Sequence, residues 1–508
     1  MDIIPSQIIG FDNALSKGSA FSGYDPATGE ELIPTFTEAT DKEINASVEL
    51  ADKAFVLYRK TTAAQRSLFL ETIAMNIESL GDDLLHTINR ETALPLSRLT
   101  GERARTTGQL RLFANLLREG KWNDVIIDEA LPDRKPAPRP EMIQMQVPIG
   151  VVAVFGASNF PLAFSVAGGD TVSALAAGCP VVFKAHPAHP ATCQLIGDVI
   201  IKAAKDTGMP NGVFSMLHGF SHEMGGKLVS HPLVKAVAFT GSFRGGKALF
   251  DLAVRRKEPI PLYAEMGSVN PVFFLPAAVK QGGELLASQF AQSVTMGAGQ
   301  FCTNPGVCIF IHNKESISFI QKLADTLSTT TIHPLLTKEI SEAYQSGVEK
   351  QKKLDGAKEL ITKKSDGGVH PQIISVSAKH VLENPAYLEE VFGPSTVAVL
   401  AHGFSEMYQL AETMPGQLTG TIHAAEDDFQ PARELIDRLT QKVGRVVMNG
   451  FPTGVEVSHA MVHGGPFPAT TDSRVTSVGT TSIYRFTRPV CYQNIPSSLM
   501  PAVNQPQA

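Results

Sequence analysis

The chain of 508 residues is 43% hydrophobic and 19% charged, with a formal net charge of −6 at pH 7. That composition fits a folded protein with room for two or three domains and excludes a disordered or collagen-like chain. The mild acidity offers no field for nucleic acid or an anionic membrane, and no stretch reaches the roughly 20 apolar residues that span a bilayer. Five cysteines, at 179, 193, 302, 308 and 491, are an odd number without CxxC spacing, so neither a disulfide framework nor a metal site is expected. With no basic n-region or apolar h-region in MDIIPSQIIGFDNA, the expected address is the reducing cytoplasm.

In chain order, residues 37–119 are helical in pattern: Ile44, Val48, Ala51, Ala54 and Phe55 recur at three- and four-residue spacing with charges between them. Residues 132–146 (PDRKPAPRPEMIQMQ) are proline-rich and then alternate, as an arm or edge hairpin does. Short apolar strands are predicted at 150–155, 180–184, 213–217 and 236–240, separated by helical stretches. This alternation implies a parallel, doubly wound sheet, hence an α/β class. A second alternating region puts strands at 271–274, 307–311, 396–400, 420–423 and 445–449. The extended tail YRFTRPVCYQNIP, 484–496, closes the pattern.

Three segments carry chemistry. VVAVFGASNFPLAF runs a strand into Gly156 and places Asn159, an amide N–H donor, just past it. PLYAEMGSVNP isolates Glu265 among apolar neighbours, where burial is expected to raise its pKa toward that of a general base. MGAGQFCTNPG surrounds Cys302 with glycines that allow close approach, so its thiol reads either as a nucleophile or as a buried small apolar group. FTGSFRGG reads as strand, turn and helix start, an anion-receiving end without the strict GxGxxG fingerprint. Lys184 closes the strand PVVFK, His463 lies in AMVHGGPFP, and Glu390 and Phe392 lie in EEVFGP.

In this order, over about residues 36–496, these motifs resemble the aldehyde dehydrogenase superfamily. The resemblance implies an aldehyde dehydrogenase fold: a Rossmann-like cofactor domain (1–131 with its helical lead-in, 147–264, and a return at 457–483), an α/β catalytic domain (265–456) and a β-arm for oligomerisation (132–146 and 484–508). It implies that Cys302 is the nucleophile, Glu265 the general base and Asn159 an oxyanion donor, with His463 either a catalytic helper or a structural histidine. Ser242 and Gly246 would approach the dinucleotide pyrophosphate, and Glu390 and Phe392 the nicotinamide side. Lys184 and His222 would meet the adenosine ribose or its phosphate. Many NAD-preferring relatives carry a glutamate where this chain has Pro187, so NADP is expected to be accepted and preferred, with NAD possible.

The expected reaction is oxidation of a small aldehyde to an acid through a Cys302 thiohemiacetal and thioester. KAHPAHP, MGAGQFCTNPG and FPTGVEVSHAMVHGGP resemble the 2,5-dioxovalerate-oxidising branch of the family. Its substrate carboxylate would need a cation, and Arg103, Arg105 and Arg111 are the candidates, although three arginines on a helix also make a solvated face. A fatty or medium-chain aldehyde would instead want the apolar lining that Phe160, Phe164, Phe301 and Phe451 could form. A CoA-acylating enzyme would lack the hydrolytic Glu265, and a non-catalytic structural protein on this fold would not need the Cys302, Glu265 and Asn159 set. The expected partner is a second copy of the chain, a homodimer or higher, with neither nucleic acid nor membrane.

Overall fold

The structure is a computed structural model that describes residues 3–361 and 369–500. Four helices, Asp41–Tyr58, Ala63–Ser79, Gly81–Thr92 and Leu96–Glu119, fill the helical lead-in. The first two start on capping boxes, Thr40 with Glu43 and Thr62 with Gln65, which satisfy otherwise orphaned N–H groups reciprocally.

A seven-stranded sheet then forms in the order Leu262–Glu265, Val234–Thr240, Val151–Phe155, Val181–Lys184, Phe214–Leu217, Gln7–Ile9, Asp12–Ala14. The first five strands are parallel and the last two antiparallel. Numbered by chain position, the parallel strands run 5-4-1-2-3, the doubly wound order whose direction of winding reverses between Val151–Phe155 and Val234–Thr240. Ligands of such sheets lie in the crevice outside the carboxyl ends of the strands at that reversal. The strands are buried on both faces, with Val152, Val154, Val181, Phe183 and Phe214 in one continuous core, as a sheet covered by helices requires.

A second seven-stranded sheet runs Lys358–Glu359, Gln372–Ser377, Ser395–Ala401, Val307–Ile311, Val272–Phe274, Gln417–His423, Val443–Met448. It is parallel except for its first strand. All nine strands expected in the two α/β regions are present, with ends shifted by up to three residues. Not anticipated were the N-terminal pair, the small pair Ala20–Phe21 and Phe36–Thr37, Ile126–Asp128, Leu262–Glu265, Lys358–Glu359 and Gln372–Ser377.

A separate three-stranded antiparallel sheet pairs Thr487–Gln493 with Met142–Pro148, and that strand with Ile126–Asp128. The two arm segments thus pair within one chain, and the strand continues to Pro148, two residues past the expected arm boundary. The end of the expected arm, residues 501–508, lies outside the described residues. No described helix is long and apolar enough to cross a membrane.

Candidate active site

The parallel strands of the first sheet deliver polar side chains to one crevice. Asn159 lies four residues beyond Phe155, in a loop rather than at the strand terminus; Lys184 and Glu265 are last residues of their strands; Ser242 follows Thr240 by two. Glu265 is pinned by a bridge to Thr470 and by Met266 N–H donating to Ala469 O at 2.8 Å, so the 463–477 segment lies across the strand end.

Cys302 sits beyond a short 3₁₀ turn, Met296–Gly299, in which Gly297, Ala298 and Gly299 all have positive φ. Glycine is required at 299, where an added Cβ would lie 2.3 Å from the Gly393 carbonyl carbon; the thiol loop and the EEVFGP loop share that contact. Asn270 fixes the other side, its Nδ2 donating to Cys302 O and Asn304 O, both at 2.9 Å.

Cys302, Glu265 and His463 converge, with a sulfur, a carboxylate oxygen and a ring nitrogen all within 4.8 Å of one another. His463 Nε2 lies 2.8 Å from Glu265 Oε1 and 3.3 Å from Cys302 Sγ. The Glu265 carboxylate is an acceptor, which assigns a ring proton to Nε2. Ser477 Oγ donates to Glu265 Oε2 at 2.6 Å, and Thr476 Oγ1 accepts the His463 N–H at 2.8 Å. Among the described residues this is the one group of three or more metal-ligating side chains so placed. A thiol, an imidazole and a carboxylate at this spacing also make a nucleophile with its proton partners.

The electrostatics correct one expectation. Burial does push the Glu265 carboxyl up, but the neighbouring His463 and hydrogen bonds from His463, Ser477 and Cys302 outweigh it, and the net pKa is lowered. The thiol carries the opposite burden: burial, the Glu265 charge and hydrogen bond, and the Glu390 charge hold Cys302 well above its ordinary range, against Arg105.

Asn159 is buried, and its Nδ2 donates to Gln300 O at 3.0 Å, two residues before the thiol, while Arg98 Nη2 holds its carbonyl at 2.6 Å. One Nδ2 hydrogen serves this contact, which leaves the other for an oxyanion.

The three candidate arginines part company. Arg103 donates to Gly81 O, and Arg111 forms an exposed ion pair with Glu78. Only Arg105 turns toward the thiol, its guanidinium 5.0 Å from the Phe164 ring centroid. Phe160, Phe164 and Phe301 form a cluster, with Phe160 at 5.3 Å from Phe164 and 5.1 Å from Phe301, and Phe164 reaches the His463 ring at 6.1 Å. Phe451 is not part of it. It packs on Phe290 and His423 at the edge of the second sheet's core.

For a dinucleotide the donor set fits the crevice. Ser242 is exposed and caps the helix Phe243–Arg255 by accepting Gly245 N–H at 3.2 Å, leaving the positive helix end open to an anion. Gly246 does not face that opening: an added Cβ would meet Met266 Sδ at 2.7 Å, so its smallness serves packing. Lys184 has its pKa lowered to about 8 by burial, against the charges of Cys193 and Glu38. Glu38, missed in the sequence, accepts Phe220 N–H and Ser221 N–H and faces the lysine electrostatically; His222, next along, is exposed at the start of its helix. Glu390 is exposed as a residue, yet its carboxyl presses on Gly267, where a Cβ would stand 2.2 Å from Oε2. Burial of that carboxyl raises its pKa to about 7, opposed by Ser268 N–H. A cleft of about 310 Å³, partly open to solvent, is lined there by Ser268, Gly299, Phe301, Asn304, Glu390 and Phe392. A carboxyl so poorly satisfied suits a ribose hydroxyl donor.

A reversing parallel sheet with an open helix end, beside a half-buried thiol and a buried carboxylate, defines a dinucleotide-dependent oxidoreductase. The chain belongs to the aldehyde dehydrogenase family, whose model matches residues 14–470. It is 46% identical over 505 residues to alpha-ketoglutaric semialdehyde dehydrogenase 2 of Azospirillum brasilense, covering 99% of this chain and 96% of that one. It is also 48% identical over 477 residues to alpha-ketoglutaric semialdehyde dehydrogenase of Acinetobacter baylyi, covering 92% and 89%. Among solved structures, betaine aldehyde dehydrogenase from Staphylococcus aureus in complex with NAD+ superposes with a TM-score of 0.82 at 20% identity, covering 100% of this chain and 96% of that one. At that identity the likeness bears on the fold alone.

Proposed function

We propose that this enzyme oxidises 2,5-dioxovalerate (α-ketoglutaric semialdehyde) to 2-oxoglutarate. The observation that carries this reading is the near-full-length identity to two alpha-ketoglutaric semialdehyde dehydrogenases, on a site that holds thiol, imidazole and carboxylate together. Cys302 adds to the aldehyde carbon, and the free Asn159 Nδ2–H and the Cys302 backbone N–H hold the oxyanion. The His463 Nε2–H, set between sulfur and carboxylate, stabilises the thiolate. Glu265 takes the proton of the water that hydrolyses the thioester. Bound NAD(P) supplies the acceptor for the hydride lost when the tetrahedral adduct collapses. Lys184, Ser242, Glu390 and Phe392 would hold it, with His222 at the margin.

NADP is accepted and preferred in this reading, since Pro187 removes one repulsive carboxylate, although Glu38 keeps a negative charge near Lys184. A large kcat/KM advantage for NAD overturns that preference. The division into a cofactor domain, a catalytic domain (265–456) and an arm, and a homodimer or larger assembly built on that arm in the cytoplasm, belong to the same proposal. The Phe160–Phe164–Phe301 cluster favours a second reading, a medium-chain or fatty aldehyde.

Steady-state kinetics on 2,5-dioxovalerate, succinic semialdehyde, glutaraldehyde and decanal with each nicotinamide decide between these substrates. Cys302→Ala is expected to abolish oxidation, and Glu265→Gln to give one burst of reduced nicotinamide and then stall. A Cys302→Ala variant that turns over ends the proposal.

A further inference from the structure

Arg105 is out of balance with its surroundings. Both Nη1 and Nη2 are buried without a hydrogen-bond partner. The guanidinium rests on the Phe164 ring at 5.0 Å, and Phe164 in turn lies 6.1 Å from the His463 ring, whose Nε2 is 3.3 Å from Cys302 Sγ. The acids that act on it electrostatically are Glu102, Glu265 and Glu456, together with the Cys302 thiol, and none forms an ion pair with it. Glu102 accepts Leu162 N–H and Ala163 N–H on Oε1, and its Oε2 is buried without reaching the guanidinium or any other hydrogen-bond partner. Burial alone lowers the Arg105 pKa, yet an arginine stays protonated in proteins, so a desolvated cation stands with acids in its neighbourhood but no acceptor on either Nη.

The other cations near the thiol are each held by hydrogen bonds to backbone carbonyls and keep one buried nitrogen without a partner, Arg98 Nη1 and Arg445 Nε, where Arg105 keeps two. Arg98 lies 4.9 and 5.0 Å from the Phe160 and Phe301 rings and donates to Asn159 O, and so holds the loop. Arg445 donates to Pro452 O and Gly454 O and supports the facing loop.

We infer that Arg105 receives the far carboxylate of the substrate, in a two-point N–H donation, and selects acid-bearing aldehydes over uncharged ones of equal length. The inference rests on the proposed reaction and adds the residue that makes it specific. Four carbon–carbon bonds separate aldehyde from carboxylate in 2,5-dioxovalerate, about 5 Å when extended. Planar guanidinium matches carboxylate in paired hydrogen bonds, and the apolar Phe164 face beneath keeps water from competing.

The test compares wild type, Arg105→Met and Arg105→Lys on 2,5-dioxovalerate and on pentanal, with thermal melting to confirm folding. Arg105→Met is expected to lower kcat/KM for the acid on the order of a hundredfold, mostly through KM, while pentanal changes by less than about threefold. Arg105→Lys should restore part of the loss. Equal losses on both aldehydes, or none on either, overturn the inference.

Glutarate, which has no aldehyde, supplies an independent reading: it should compete with pentanal in the wild type and lose that competition in Arg105→Met. If wild type ignores 2,5-dioxovalerate but glutarate behaves in this way, the substrate assignment has failed and the arginine's role stands. If wild type oxidises 2,5-dioxovalerate and Arg105→Met leaves glutarate competition intact, the arginine's role has failed.

Discussion

The Cys302 thiol and the Glu265 carboxylate have pKa values displaced in opposite directions, and the displacement is mutual. Removing the Glu265 charge removes the second largest cause of the raised Cys302 pKa, so Glu265→Gln should move the pH midpoint of Cys302 alkylation downward. Removing the Nε2–H that faces the sulfur, as in His463→Phe, should move it upward. Iodoacetamide labelling resolved by peptide mass measures both, and separates Cys302 from the exposed Cys491. Shifts of the same sign would refute the bridging histidine. Sequence could not supply this pair of signs: Glu265 looks isolated among Ala264, Met266 and Gly267, and its partner is 198 residues away. The arginines were more legible than their grouping allowed. At about 100° per residue, Arg103 and Arg111 lie about 80° apart on the helix, with Arg105 roughly opposite both, so one helix face could not have presented all three.

Short elements set the distances between these residues. The turn Met296–Gly299 places the thiol by lying against Gly393, with Gly299 at φ +69°. Gly299→Ala adds left-handed strain and a backbone collision, and should cost about 2–4 kcal/mol of stability by denaturant titration. Activity should fall further than stability, because the same push displaces the Glu390 loop. Apolar strands such as Val307–Ile311 were readable because burial on both faces leaves an uninterrupted apolar run. The edge strand Leu262–Glu265 was not, since it has four residues and a half-exposed Tyr263; nor was Gln7–Ile9, whose pairing with Phe214–Leu217 spans about 200 residues. Ser477 carries no motif, and its bond to Glu265 becomes visible only once residues 463–477 cross the strand end.

At the scale of the molecule, stability and assembly follow from the same features. Glu390 has a pKa raised to about 7 in the folded chain, against 4.5 ordinarily. The folded state therefore holds more protons over that window, and the stability tied to this group is present below pH 4.5 and lost as pH rises through about 7. Glu390→Gln removes the effect, so its melting temperature relative to wild type should climb from pH 5 to pH 8; a constant difference contradicts the assignment. Strand Thr487–Gln493 leaves a sheet edge beside Met142–Pro148, and unpaired edges invite another chain. Removing residues 487–508 should leave a monomer by light scattering, with its helical circular dichroism retained.

The reactive cluster joins chain positions 265, 302 and 463, with Ser477 behind them. During synthesis the first two leave the ribosome well before the others, so a nascent or prematurely terminated chain carries the sulfur without its imidazole. In the proposed mechanism the chemistry therefore waits for residues 463–477, and a fragment ending before residue 463 should be inert toward aldehydes even where its first sheet has folded.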